Sequence, residues 1–130
     1  MGAPVRYVVT LPLPPNLLNS RMHWRTKDRK RGLYRTEALV WRVNAGRMRP
    51  PRPLTHASLS ATLYVFSRMD YDNLVGRLKW AVDFLKQDGW IVDDSPAVLE
   101  TPWLVQQEID RKRPRVVVTL EPVAVADGGR

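Results

Sequence analysis

Cysteine is absent from the 130 residues of this chain. Its absence excludes disulfide bonds, thiolate zinc sites and cysteine nucleophiles. No stretch approaches the roughly 20 apolar residues of a transmembrane helix, so we expect no contact with a membrane. The first residues lack the basic start and apolar block of a signal peptide, which predicts a cytoplasmic protein. No internal repeat is visible, and the length fits one domain.

Acidic residues are scarce in the first part of the chain. Residues 1–55 carry 12 Lys and Arg against 2 Asp and Glu, whereas residues 56–130 carry 9 against 11. This asymmetry predicts a basic surface for a polyanion beside an acidic site. Seven of the basic residues lie between positions 21 and 35, where Asp28 is the one acid.

The basic segment combines positive charge with aromatic rings. Its cations would neutralise several phosphates, a contribution that dominates nucleic-acid affinity and falls with salt. Trp24, next to His23, offers a ring that can stack on an exposed base. The predicted nucleic-acid contacts in this segment are Arg21, His23, Trp24, Arg25, Lys27, Arg29, Lys30 and Arg31. The alternative is a solvated charged face in which Trp24 is a core anchor.

Two carboxylates stand two residues apart where a predicted strand ends and a predicted helix begins. Residues 57–66 alternate apolar and polar side chains, and residues 71–86 carry apolar side chains at helical spacing. Asp70 and Asp72 can therefore face one small volume, and carboxylates packed that closely favour a bound cation such as Mg²⁺. The alternative is that Asp72 caps the helix and Asp70 is a solvated turn residue.

The remaining patterns predict an α/β (α+β mixed) fold in a single domain. Strands are expected over residues 5–11, 57–66, 97–109 and 115–120, and helices over 33–48 and 71–86. The basic segment before the first helix is read as a loop, and Gly46 marks the end of that helix. We expect a mixed sheet of four to five strands with two main helices packed on it, within residues 1–122. Residues 123–130 are expected to form a disordered tail.

Three motifs in this order resemble the RusA family of Holliday junction resolvases, which are small phage-type endonucleases. The first is the strand that runs into Leu11-Pro12-Leu13-Pro14-Pro15-Asn16, with Asn19 and the basic segment after it. The second is Asp70-Tyr71-Asp72-Asn73-Leu74, followed by a helix. The third is Gly89-Trp90-Ile91-Val92-Asp93-Asp94. The resemblance covers most of the chain, from about Tyr7 to Leu120.

The resemblance implies an Mg²⁺-dependent nuclease, with Mn²⁺ as a possible substitute ion. It also implies that Asp70, Asp72 and Asp94 are the catalytic metal-site residues, with Asp93 as the lesser candidate. The alternative for Asp93 and Asp94 is ordinary turn chemistry, in which their side chains accept hydrogen bonds from nearby backbone N–H groups.

One position departs from the family. The catalytic lysine of the family lies one helical turn after the second Asp, and here that position is Gly76. Lys79 is the candidate replacement, because seven residues bring it back to the same helix face as Asp72. The alternative is that Lys79 forms an ion pair with Asp83. Arg68, just before the motif, is expected to contact the scissile phosphate.

Together the residues and the resemblance predict a structure-selective endonuclease that resolves four-way DNA junctions by paired nicks. It would act in the cytoplasm of a bacterial host or a phage-infected cell. Because a junction has approximate two-fold symmetry, we expect a homodimer. A non-catalytic protein that binds branched DNA or RNA is the first alternative, and a small Mg²⁺-dependent nucleotide hydrolase is the second.

Overall fold

A computed structural model of the chain describes residues 5–15, 24–46 and 49–124. Two helices pack on a four-stranded mixed sheet, which confirms the predicted α+β fold class. The elements are β1 (Tyr7–Leu11), α1 (Trp24–Ala45), β2 (Ala57–Val65), α2 (Tyr71–Gln87), β3 (Leu104–Ile109) and β4 (Arg115–Pro122). Among the described residues, no helix is long and apolar enough to cross a membrane.

The sheet has the strand order β1-β4-β2-β3. β4 runs antiparallel to both of its neighbours, whereas β3 runs parallel to β2. Ser60 lies opposite Leu104 and Val65 opposite Ile109, so β2 and β3 begin at one end of the sheet and finish at the other. β1 and β3 are the two edge strands, and α1 packs beside β1.

The core forms between the buried face of β2 and the apolar face of α2. Every second side chain of β2 is buried, as strict alternation predicts for a strand with one face covered. The predicted stripe of α2 is also buried and consists of Leu74, Leu78, Ala81, Val82 and Leu85. Burying each of the larger side chains stabilises the fold by about 1.5–3 kcal/mol. The two elements that flank Asp70 are therefore firmly packed.

The start of the first helix was predicted wrongly. The sequence suggested a basic loop and then a helix over residues 33–48, but α1 already begins at Trp24. Lys and Arg are good helix formers, and this helix buries only Tyr34 and Ala38, so its apolar periodicity gave little guidance. Its end was predicted correctly, since Gly46 follows with a φ of +67° that favours glycine.

Other boundaries differ less. The predicted strand over residues 97–109 is regular only from Leu104, although Leu99 forms an isolated bridge with Ala57. The backbone N–H of Val123 donates to His56 O at 3.0 Å, so this first residue of the predicted tail is attached to the sheet. The rest of that tail from residue 125, like Arg21 and His23, lies outside the described residues.

An ion pair joins the C-terminal ends of the two helices. Arg42 of α1 donates two hydrogen bonds of 2.8 Å to the carboxylate of Asp88, which follows α2. The indole N–H of Trp90 donates to the same carboxylate at 2.9 Å. The side chain of Asp88 is only 8% exposed, so these donors replace the water that a carboxylate otherwise needs.

The proline-rich segment after β1 is tied to both helices. The hydroxyl of Tyr34 donates to Pro12 O at 2.8 Å, and the guanidinium of Arg77 donates to Pro14 O at the same distance. Burial raises the pKa of Tyr34 well above its usual range, which keeps the phenol in the neutral form that donates this bond. These two hydrogen bonds hold the proline-rich segment against α1 and α2.

Candidate acidic site and basic helix

Asp70 occupies the N-cap position of α2. Its backbone is extended, with φ −61° and ψ 154°, and its carbonyl accepts the N–H of Leu74 at 3.0 Å. Among the described residues, its carboxylate makes no capping hydrogen bond and accepts one hydrogen bond, from the side-chain amide of Asn73 at 3.5 Å. The alternative that assigned the cap to Asp72 is therefore wrong. The side chains of Asp70 and Asp72 are both exposed.

Both carboxylates lie at the N-terminal end of α2. Asp72 stands in the first turn, where the free backbone N–H groups carry partial positive charge. Each carboxylate in such a position is stabilised by typically 0.3–1 kcal/mol. The helix end therefore offsets part of the repulsion between the two acids, and their proximity does not by itself require a cation.

A side-chain clamp on Met69 holds the acidic pair in place. The amide of Gln107 accepts the N–H of Met69 at 3.0 Å and donates to Met69 O at 2.9 Å. These two bonds imitate the pairing of a neighbouring strand and attach the residue before Asp70 to β3. Sequence reasoning missed Gln107. The available signal was a polar residue at an inward-facing position of β3, between Val105 and Ile109.

Asp93 and Asp94 lie near the other end of α2. Asp93 Oδ1 is 3.2 Å from Lys86 Nζ, and the hydrogen bond from Lys86 lowers the pKa of the Asp93 carboxyl. Asp93 and then Asp94 are among the charges that raise the pKa of Lys86, which places both acids near the last turn of the helix. Fourteen residues, or about 21 Å of helix, separate Lys86 from Asp72.

The predicted metal site of Asp70, Asp72 and Asp94 does not form within one chain. In the part of the chain that the structure describes, no group of three His, Cys, Asp or Glu side chains could hold a metal ion. Asp70 and Asp72 share one end of α2, but Asp94 does not join them. A single chain therefore does not bring the three predicted Mg²⁺ ligands together. The sequence alone could not predict the distance between the Asp70–Asp72 pair and the Asp93–Asp94 pair.

Lys79 is exposed on α2, one turn beyond Gly76. The alternative prediction paired it with Asp83, but the two side chains form no ion pair in the described structure. Arg77 has a structural role, because its guanidinium donates a hydrogen bond to Pro14 O. Partial burial lowers the pKa of this guanidinium. Lys79 thus stays the candidate for the lysine that is missing at Gly76.

From Trp24 onward, the predicted basic loop is the exposed first half of α1. Trp24 is 65% exposed, so the alternative that made it a core anchor is wrong. The guanidinium of Arg25 lies 5.3 Å from the centroid of the Trp24 ring. Four further predicted contact residues, Lys27, Arg29, Lys30 and Arg31, are also exposed. A regular helix therefore presents these cations, in place of a loop.

The basic half of α1 runs beside the middle of α2. The guanidinium of Arg31 lies 5.7 Å from the ring centroid of Trp80, and Tyr34 meets the same ring edge-on at 6.2 Å. Trp80 follows Asp72 by eight residues, or about 12 Å of helix. The basic half of α1 therefore lies against the same helix that carries the acidic pair at its N-terminal end.

Arg68 adds positive charge directly beside the acids. It is exposed two residues before Asp70 and lines a groove of about 330 Å³ between α2 and β3. Tyr71 and Gln107 line the same groove, so it adjoins the clamped backbone of Met69. The predicted contact of Arg68 with a scissile phosphate stays a prediction.

No protein-family model matches the chain, and no significant match was found among curated proteins. The resemblance to RusA therefore stays a prediction that rests on the three motifs. The structure adds the geometry on which a functional proposal can be built.

Proposed function

We propose that this protein is a structure-selective DNA endonuclease that binds four-way junctions through α1 and nicks them beside Asp70 and Asp72. One observation carries the proposal: two exposed carboxylates stand at a clamped strand-to-helix junction, two residues after Arg68. They lie on the helix whose Trp80, about 12 Å of helix rise from Asp72, contacts Arg31 of the basic helix. The expected place of action is the cytoplasm.

Binding follows from the charge on α1. Its first two turns present Lys27, Arg29, Lys30 and Arg31 to solvent, beside Trp24. Phosphate contacts of this kind position a duplex without reading its sequence, so recognition would depend on the shape of the branch. The exposed ring of Trp24 is suited to stacking on bases that become unpaired at a crossover.

Nicking is assigned to the acidic end of α2. Asp70 and Asp72 are held at fixed positions because the Gln107 clamp orders the preceding residue and α2 orders the following ones. The two exposed cations proposed to offset negative charge that develops on a phosphate are Arg68, before α2, and Lys79, within α2. The predicted ion is Mg²⁺, and Asp70 and Asp72 are the two predicted ligands that share one end of α2. Water and phosphate oxygens would complete the coordination of an ion held there.

A cleavage assay tests the proposal. A synthetic four-way junction, labelled on each strand in turn, is incubated with the protein in Mg²⁺ and in Mn²⁺, with linear duplex of the same sequence as control. We expect nicks in opposed strands of the junction and little cutting of the duplex. Equal cutting of both substrates would contradict structure selectivity.

A second candidate is a branched-DNA-binding protein without catalysis. Two observations favour it: Gly76 stands where the family has its lysine, and the acids of one chain do not converge. The same assay separates the two functions. Tight junction binding with no nick in either metal, at any pH tested, would select the binding protein.

A further inference from the structure

We propose that the turn between β3 and β4 is a second binding site for a nucleic-acid backbone, separate from the basic half of α1. This β3–β4 turn comprises residues 110–114 and presents three exposed cations, Arg111, Lys112 and Arg113. The binding site is argued from the contacts and the charge of the turn alone. Its place beside a nicked strand rests on the proposed function.

The side chain of Asp110 gives the β3–β4 turn a fixed shape. One oxygen of its carboxylate accepts the backbone N–H groups of Lys112 and Arg113, each at 3.1 Å. The other oxygen accepts a 2.9 Å hydrogen bond from Arg115, whose guanidinium lies 3.8 Å from the ring centroid of Tyr64. The bonds from Arg115 and from the backbone of the turn lower the pKa of Asp110. The cations are therefore presented by an ordered backbone, which lowers the entropy lost when a ligand binds.

Two hydrogen bonds attach the turn to the chain segment that leads to the acidic pair. The N–H of Asp110 donates to Val65 O at 2.9 Å, and Arg111 Nε donates to Phe66 O at 3.2 Å. Phe66 precedes Asp70 by four residues, which span at most about 14 Å even when fully extended. The turn and the acidic pair therefore lie at the same end of the sheet. The basic helix α1 packs beside β1, at the other edge.

The positive charge of the turn is not consumed by the fold. Residues 110–115 carry four Lys and Arg against one acid. That acid pairs with Arg115, whereas Lys112 and Arg113 take part in none of the ion pairs of the described residues. Cations held close together repel one another, and a bound anion removes that cost. Successive cations suit a row of phosphates better than a single anion, so a nucleic-acid strand is the ligand that fits.

The attachment at Phe66 decides which phosphates the turn can reach. A phosphate nicked beside the acidic pair lies about 14 Å or less from this attachment, whereas one turn of duplex spans about 34–36 Å. The contacted phosphates should therefore lie within about half a turn of duplex from the nick. The turn would hold the nicked strand on one side of the acidic pair.

NMR spectra of the ¹⁵N-labelled full chain test whether the turn binds. A short linear duplex in EDTA is the probe, because it is not cut under these conditions. We expect the amide signals of Arg111, Lys112 and Arg113 to shift when duplex is added. Inorganic phosphate at the same concentration of phosphate groups should leave them in place. Unmoved signals with duplex, or equal shifts with inorganic phosphate, would overturn the proposal.

A double variant measures the contribution of the turn to affinity. Lys112→Gln with Arg113→Gln should weaken duplex binding about tenfold or more and reduce the slope of log K against log salt by about 2, because each phosphate contact contributes roughly 0.9. Arg6→Gln with Arg52→Gln is the matched control, since it removes the same charge from exposed positions away from the turn. Equal losses in both double variants would show that only net charge matters, which would overturn the site.

Two substitutions of Asp110 separate an ordered site from diffuse charge. Asp110→Ala and Asp110→Asn raise the net charge equally, but an Asn side chain can still accept the backbone N–H groups that close the turn. Asp110→Ala should therefore bind duplex about fivefold more weakly than Asp110→Asn. Equal affinities would contradict the claim that the shape of the turn matters. Urea denaturation of both variants checks that they are folded.

Neutral methylphosphonate linkages locate the turn relative to the nick. They are placed singly in a four-way junction, within half a turn of duplex on either side of the mapped nick. We expect slower nicking by the wild type for linkages on one side, and no such effect in the Lys112→Gln, Arg113→Gln variant. Equal sensitivity of both proteins would contradict this placement. A wild type that binds through the turn and nicks nothing would contradict the proposed function and leave the binding site standing.

Discussion

Lys86 Nζ lies 3.2 Å from Asp93 Oδ1, and this ion pair holds the acidic turn near the C-terminal end of α2. Asp70 occupies the N-cap position at the opposite end of the same helix. The two acidic motifs are thus separated by the length of a rigid element. Within one chain, the acidic turn of Asp93 and Asp94 therefore lies apart from Asp70 and Asp72.

This ion pair has a pH dependence of known sign. Lys86 lowers the pKa of Asp93, so the pair favours the folded state above the ordinary Asp pKa of about 3.9, and that contribution is lost as the pH falls through the lower folded value. An NMR titration should show Asp93 titrating below its ordinary value. Lys86→Ala should move the Asp93 pKa upward, and an unchanged titration would show that Lys86 is not the cause.

Asp88→Ala should be strongly destabilising. It leaves the guanidinium of Arg42 without its carboxylate partner in a largely buried place, and it removes the acceptor for Trp90. Breaking one side of a buried pair typically costs about 3–5 kcal/mol. Urea denaturation measures the free energy of unfolding. The exposed control Glu108→Ala should change it by about 0.5 kcal/mol or less, and equal losses would refute a structural role for Asp88.

Replacing both Lys27 and Lys30 by Ala should weaken junction binding. If each contacts one phosphate, the slope of log K against log salt should become less steep by about 2, since each contact contributes roughly 0.9. Fluorescence anisotropy at several salt concentrations measures this slope. Arg52→Ala, an exposed change in the proline-rich connector after α1, is the control and should leave the slope unchanged. Identical slopes for all three proteins would exclude α1 as the DNA surface.

Gln107→Leu should separate nicking from binding. The change leaves the N–H and C=O of Met69 without their hydrogen-bond partner. Losing a partner in this way costs about 1–3 kcal/mol, so the backbone before Asp70 should become less ordered. We expect a much slower nicking rate with junction affinity retained. The control Gln87→Leu makes the same change at an exposed position at the far end of α2 and should keep its activity. A Gln107 variant that nicks at the wild-type rate would exclude the clamp from positioning Asp70.

The sequence predicted those elements whose apolar period matches their burial. β2 alternates and α2 carries a stripe, and both lie within a residue or two of their predicted bounds. α1 was predicted less well, because it packs through few residues and exposes Leu33, Val40 and Val43. The positions of its apolar side chains therefore do not predict which face of α1 packs on the core.

The site was predicted in part. The exposed acidic pair at the start of α2 is where the spacing predicted it. The distance to Asp94 was not predictable, because it depends on the length of α2 and on the path of the chain past Trp90, which a motif does not encode. The contacts of Gln107 and Asp88 were also not predictable, because each joins elements that are distant in the sequence.

The most direct test of the central claim is the nicking of a four-way junction by the wild-type protein and by Asp70→Asn, with junction affinity measured in parallel. The account predicts paired nicks by the wild type, none by the variant, and binding by the variant that is equal or tighter, because a negative charge beside the phosphate is removed. Equal nicking by both proteins would contradict it.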